Sequence, residues 1–149
     1  MANKDATDLL TKQKHMGQYG DAVIAYGQVT VASTADNDVI RPCVIPAGTM
    51  VHAILIGNGD FDTGTPEIVC NVGYSPVNST DGPAESAAYF APAGQTILQS
   101  LNEGKLFCNF APIKFEYDVY LIVTVPTDSA TDASATLYAT VLGRGVGIQ

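Results

Sequence analysis

Residues 22–31 read AVIAYGQVTV, and their side chains sort by a period of two. Ile24, Tyr26, Gln28 and Thr30 fall on one face, and Val23, Ala25, Val29 and Val31 on the other. That alternation, rich in β-branched residues, specifies a strand. The same grammar recurs to the end of the chain. VIRPCVI (39–45) is strand-like, with Pro42 marking an edge or a bulge. Pro46-Ala47-Gly48 reverses the chain, because proline presets φ and glycine tolerates φ > 0. MVHAILI (50–56) is almost continuously apolar, EIVCNVGY (67–74) alternates, and the long segment 75–87 is polar. Residues 88–101 fit either a strand or a helical turn. KLFCNFAPIKFEY (105–117) reads as two short strands kinked at Pro112. DVYLIVTV (118–125) and ATLYATVL (135–142) are the last two strands. No amphipathic helical pattern reaches ten residues.

Seven or eight strands at this spacing, separated by turn clusters, specify a sandwich or barrel. Two packed four-stranded antiparallel sheets, as in a jelly roll, dispose of the exposed edges at this strand number. The expected fold is therefore all-β: an antiparallel two-sheet jelly-roll-like sandwich over residues 21–143. An extended N-terminal arm precedes it at 1–20 and a glycine-rich tail follows at 144–149. A short helix from Thr7 to Lys14 is compatible with the arm, which cannot bury itself alone.

The chain of 149 residues is long enough to bury a core without disulfides or metal. Its charged fraction is only 15%, against about 25% for a typical soluble domain. Part of its surface is thus uncharged, as suits a protein that lives against a partner. The net charge is −8, and three of the seven basic residues (Lys4, Lys12, Lys14) lie in the arm. An acidic body repels phosphate, so nucleic acid is not an expected ligand. No run approaches the ~20 apolar residues of a membrane span, and the N-terminus has no signal-peptide pattern. Cys43, Cys70 and Cys108 are odd in number and widely spaced. They read as reduced, buried side chains rather than a zinc site or disulfide framework, which fits assembly in a reducing cytoplasm.

Several local patterns resemble chemistry. Phe61-Asp62-Thr63-Gly64-Thr65 matches the aspartic-protease signature, which in a chain this short would require a homodimer. Gly57-Asn58-Gly59-Asp60 separates it from its strand, so a hairpin loop built on Asp, Thr and Gly explains it better. Asp60 and Asp62 could open a calcium loop, but Gly64 occupies the third ligand position. His15 and His52 are isolated, His52 being either packed or on the outer face of its sheet, and no serine sits in a nucleophile elbow. No catalytic residue, cofactor site or metal site is assigned. Seven tyrosines and no tryptophan keep a glycan-binding module of a virion fibre as an alternative, to be judged by whether Tyr74, Tyr89 or Tyr120 cluster on an exposed face.

The order of segments resembles the jelly-roll head decoration, or cement, proteins of tailed bacteriophages. The resemblance rests on the polar arm, AVIAYGQVTV, DVIRPCVIPAG, MVHAILIGNGDFDTGT leading to Asn71-Val72-Gly73-Tyr74, and DVYLIVTVPTDSATDASATLYATVLG. It covers residues 19–143. The GRGVGIQ tail and the insertion at 75–87 depart from it. The resemblance implies a non-enzymatic virion protein made in the host cytoplasm and seated on the outer capsid surface. It implies a homo-oligomer, dimer or trimer, bridging major capsid protein subunits of the HK97-like fold and stabilising the expanded shell. The expected contact residues to capsid or neighbouring protomer are Lys4, Leu9, Leu10, Lys12, Lys14 and Tyr19.

Overall fold

The structure is a computed structural model and describes residues 2–6, 22–99, 104–131 and 133–147. Among these, eleven strands form two sheets: β1 (Asn3–Asp5), β2 (Ala22–Val31), β3 (Asp38–Arg41), β4 (Val44–Ile45), β5 (Thr49–Asn58), β6 (Val69–Pro76), β7 (Ser86–Gln95), β8 (Gly104–Phe107), β9 (Ile113–Phe115), β10 (Val119–Thr127) and β11 (Ala135–Gly145). One sheet has the order β1-β3-β10-β6-β7, with β4 also on β10. The other has the order β2-β11-β5-β8, with β9 also on β5. All pairings are antiparallel except β1 on β3.

The eleven strands reduce to eight positions and β1. β3 and β4 share one edge of β10, against Val123–Val125 and Val119–Tyr120 respectively. β8 and β9 share one edge of β5 in the same way. Proline explains the first break. Pro42 cannot donate to the ladder, and Leu121 N–H turns to the Cys43 carbonyl instead, 3.0 Å away. With β2 as position 1 and β11 as position 8, the sheets run 1-8-3-6 and 2-7-4-5. That nesting is a jelly roll, as expected from the strand spacing.

The core forms where the inner faces meet. Val29, Val31, Ile54, Ile56, Leu137 and Val141 from one sheet pack on Ile40, Val72, Leu121, Val123 and Val125 from the other. A run of edge-to-face rings closes one side: Tyr74 lies 4.9 Å from Phe115, and Phe90 lies 4.8 Å from Phe110. All three cysteines are buried and none is in a disulfide. Burial pushes the Cys70 thiol up to about 12 and the Cys108 thiol to about 11.

Three details depart from the sequence reading. The ambiguous stretch 88–101 holds both alternatives, β7 to Gln95 and then a single helical turn at Ile97–Gln99. The polar segment 75–87 begins and ends inside strands, since β6 runs to Pro76 and β7 starts at Ser86. β11 continues through Gly143-Arg144-Gly145, where the tail was expected to begin, because Gly143 pairs with both Val23 and Val51. The turn at 46–48 forms as expected. Gly48 takes φ 74° and donates to the Phe115 carbonyl at 2.7 Å, while Ala47 N–H donates to the Asp118 carboxylate at 2.8 Å.

Candidate interaction surface

The residues that resemble a catalytic motif come first. Phe61, Asp62 and Thr63 line a loop zipped to Thr131 and Ala133 by Thr63 N–H to the Thr131 carbonyl and Ala133 N–H to the Phe61 carbonyl. The Asp62 side chain is fully buried. Its Oδ2 accepts from Glu67 N–H (2.7 Å) and Ile68 N–H (3.2 Å). Its Oδ1 accepts from the Ser129 hydroxyl (2.7 Å), the Thr131 hydroxyl (3.1 Å) and Gly64 N–H (3.4 Å). Burial alone would raise this carboxyl. The backbone and hydroxyl donors more than offset it and hold Asp62 well below the usual carboxylate range. An aspartic-protease dyad needs a carboxyl that keeps a proton at working pH. Asp62 is instead a saturated acceptor that pins two loops together. Asp60 serves the same loop, accepting Asp62 N–H at 3.0 Å.

Of Tyr74, Tyr89 and Tyr120 only Tyr89 is exposed, so the three do not make an exposed platform. Tyr74 packs edge-on against Tyr89 at 5.6 Å and against Phe115, and Tyr120 is covered by the Arg41 guanidinium, 4.7 Å from its ring centre. His52 is exposed, on the outer side of β5 where a bulge interrupts pairing with β11.

Of the expected contact residues, only Lys4 lies among those described; Leu9, Leu10, Lys12, Lys14 and Tyr19 fall outside them. Lys4 sits in β1, with its ammonium 3.5 Å from the carboxylate of Asp38. Ala2 N–H donates to the other Asp38 oxygen at 2.8 Å, and Arg41 reaches Asp5 at 3.8 Å. Val39 N–H donates to the Ala2 carbonyl, Ala6 N–H donates to the Arg41 carbonyl, and Ala6 is buried in the core. Residues 2–6 are therefore part of the sandwich, and β1 spends the Lys4 charge inside the chain.

A surface that the sequence reading did not assemble lies on the outer face of the β2-β11-β5-β8 sheet. Among the described residues eight large hydrophobics are exposed, and six of them are here: Ile24, Tyr26, Leu55, Phe107, Tyr138 and Leu142. The register sets them in rows. Tyr26 faces Thr140, Thr140 faces Leu55, and Leu55 faces Phe107, in one line across four strands. Ile24, Leu142 and Ala53 make the next row, and Gln28, Tyr138 and Gly57 the row on the other side. Phe107 is the most exposed, at 67%. Tyr26 and Tyr138 wall a depression of ≈ 310 Å³ with Gln28 and Thr140 on its other diagonal.

The face is also distinguished by charge. The chain has fifteen acidic residues, and none lies in β2, β5, β8, β9 or β11. Glu116, just beyond β9, is held by Lys114 at 2.6 Å. The signal was present in the sequence as strands apolar on both faces. MVHAILI in β5 and the Ile24/Tyr26 pair in β2 exceed what one buried face requires.

The chain matches no protein-family model, and it matches no curated protein. Its fold is shared with chains of three phage capsid structures. A chain of the capsid of Ralstonia phage GP4 superposes with a TM-score of 0.78 at 18% identity, covering 97% of this chain and 99% of that one. A chain of the cyanophage Pam1 capsid asymmetric unit gives 0.68 at 23% identity, over 90% and 91%. A chain of the acidic stable capsid of Helicobacter pylori bacteriophage KHP30 gives 0.57 at 11% identity, over 88% and 91%. What this chain has in common with phage capsid chains is thus the jelly roll itself, from one end to the other.

Proposed function

We propose that this chain is a structural virion protein of a tailed phage, a head decoration or cement protein. It sits on the outer surface of the expanded shell and bridges major capsid protein subunits of the HK97-like fold. The observation that carries the reading is the end-to-end likeness to a chain of a phage capsid, 97% of this chain against 99% of that one. The low charged fraction and the apolar sheet face support it, since both suit a protein held against partners. The saturated Asp62 supports a structural rather than a chemical role for the one loop that resembles an active site.

A protein that binds the assembled shell but not its separate subunits stabilises the shell by mass action. An oligomer touching several subunits gains effective concentration from each added contact. The segment 7–21 supplies the contact to the shell or to a neighbouring protomer, through Leu9, Leu10 and Tyr19 with the charges of Lys12 and Lys14. The site made by adjoining capsid subunits exists only after expansion, which times the binding.

Cosedimentation of purified protein with expanded heads and with unexpanded proheads tests this. Saturable binding to expanded heads alone is expected, and binding to neither shell would remove the reading. The paired substitution Lys12→Ser and Lys14→Ser should weaken binding to heads at least tenfold without lowering the melting temperature. Unchanged occupancy would sink the assignment of the contact to this segment.

A further inference from the structure

We infer that the outer face of the β2-β11-β5-β8 sheet is the seat of a second copy of this chain, forming a two-fold symmetric dimer. Charge selects the partner. Two identical chains of net charge −8 repel through any surface that carries carboxylates. The strands of this sheet carry none, and it holds six of the eight exposed large hydrophobics of the described residues. A basic partner would gain more from the acidic surfaces elsewhere. An identical acidic partner gains most here. The sheet's cations do not oppose one another in the dimer: by register Arg144 stands opposite the partner's Met50, Lys114 opposite the partner's Ala22 and Lys105 opposite the partner's Gln28.

Shape and area agree. Three strands of about ten residues, with β8 and β9 together filling a fourth position along β5, lie about 4.8 Å apart and rise ~3.3 Å per residue, which gives a face of roughly 600 Å². Two such faces bury on the order of 1,200 Å² in all, the lower bound for a specific, stable interface. Sheets pack face to face about 10 Å apart with nearly aligned strands. A two-fold axis between the two sheets, parallel to the strands and above the seam of β11 and β5, exchanges β2 with β8 and β11 with β5. The row Tyr26–Thr140–Leu55–Phe107 then lies on its own reverse. Phe107, the most exposed ring, meets the partner's Tyr26 at the mouth of the depression walled by Tyr26 and Tyr138, and Thr140 meets the partner's Leu55. Each copy supplies a knob and a slot, as an isologous contact requires.

The dimer does not depend on capsid binding, but it deepens that reading by naming the oligomer and its face. Sedimentation equilibrium of the full chain between about 1 and 100 μM tests it. Twice the chain mass is expected, with Phe107→Asp and Tyr138→Asp each weakening the dimer at least tenfold while the circular dichroism stays native. Tyr138→Ser repeats the test without an added charge. Thr140→Cys, near the axis, should crosslink to a dimer with a short bismaleimide, and Asp81→Cys, on an exposed loop of the other sheet, should not. The chain mass at 100 μM, open-ended association, or an Asp81→Cys crosslink as efficient as that of Thr140→Cys overturns the inference. Monomeric protein that still saturates expanded heads would overturn the dimer and leave the capsid role standing. A dimer that binds no heads would do the reverse.

Discussion

Asp62 shows how one side chain can look catalytic in a sequence and be structural in the fold. Its carboxylate receives three backbone N–H groups and two hydroxyls from residues 64–68 and 129–131. Removing it leaves those donors buried and unpaired, so Asp62→Ala should cost about 2–3 kcal/mol, read as a shift in the urea midpoint. The pH dependence has a definite sign. The folded-state value lies below the ordinary 3.8, so the stabilisation is fully present above that value. It is lost as pH falls through the depressed folded value. Melting temperature should therefore drop steeply below about pH 4, and Asp62→Asn should flatten that drop. The cysteines make the opposite case. With Cys70 and Cys108 raised to about 12 and about 11 and all three buried, the native protein should resist a thiol reagent at pH 8. Full reactivity should appear only in denaturant. Reaction of Cys70 or Cys108 in the native state at the rate seen in denaturant would contradict the burial.

At the scale of elements, close approach controls the strands more than propensity does. Gly27 lies on the inner face of β2, where an added Cβ would stand 1.9 Å from the Pro42 carbonyl oxygen. Gly27→Ala should push β2 off that crossing and cost about 1–3 kcal/mol in thermal or chemical unfolding. Gly48→Ala, at φ 74°, should cost about 1–2 kcal/mol for a different reason, left-handed backbone strain. Most strands were legible because period-two alternation survives wherever one face is buried and the other is not. β2 shows this along its whole length. Two things were not legible. β1 has no apolar pattern, and is held by Asp38, Arg41 and the β3 backbone, partners more than thirty residues away. The outer apolar face needed register: Ile24, Leu55, Tyr138 and Leu142 become neighbours only once β11 is known to lie between β2 and β5. The Pro-Ala-Gly turn was legible because its chemistry is local.

For the whole molecule, the two sheets divide the labour. The strands of one sheet carry no carboxylate and gather apolar side chains on their outer face, while the carboxylates of the described residues lie in loops and in the other sheet. The seating of β1 has a mechanical consequence as well. Ala6 is fixed to one sheet and Ala22 begins a strand of the other, so the chain is anchored on both sheets. A single cut between Ala6 and Ala22 would leave β1 held only by its hydrogen bonds and ion pairs and by the packing of Ala6, a strand that can detach.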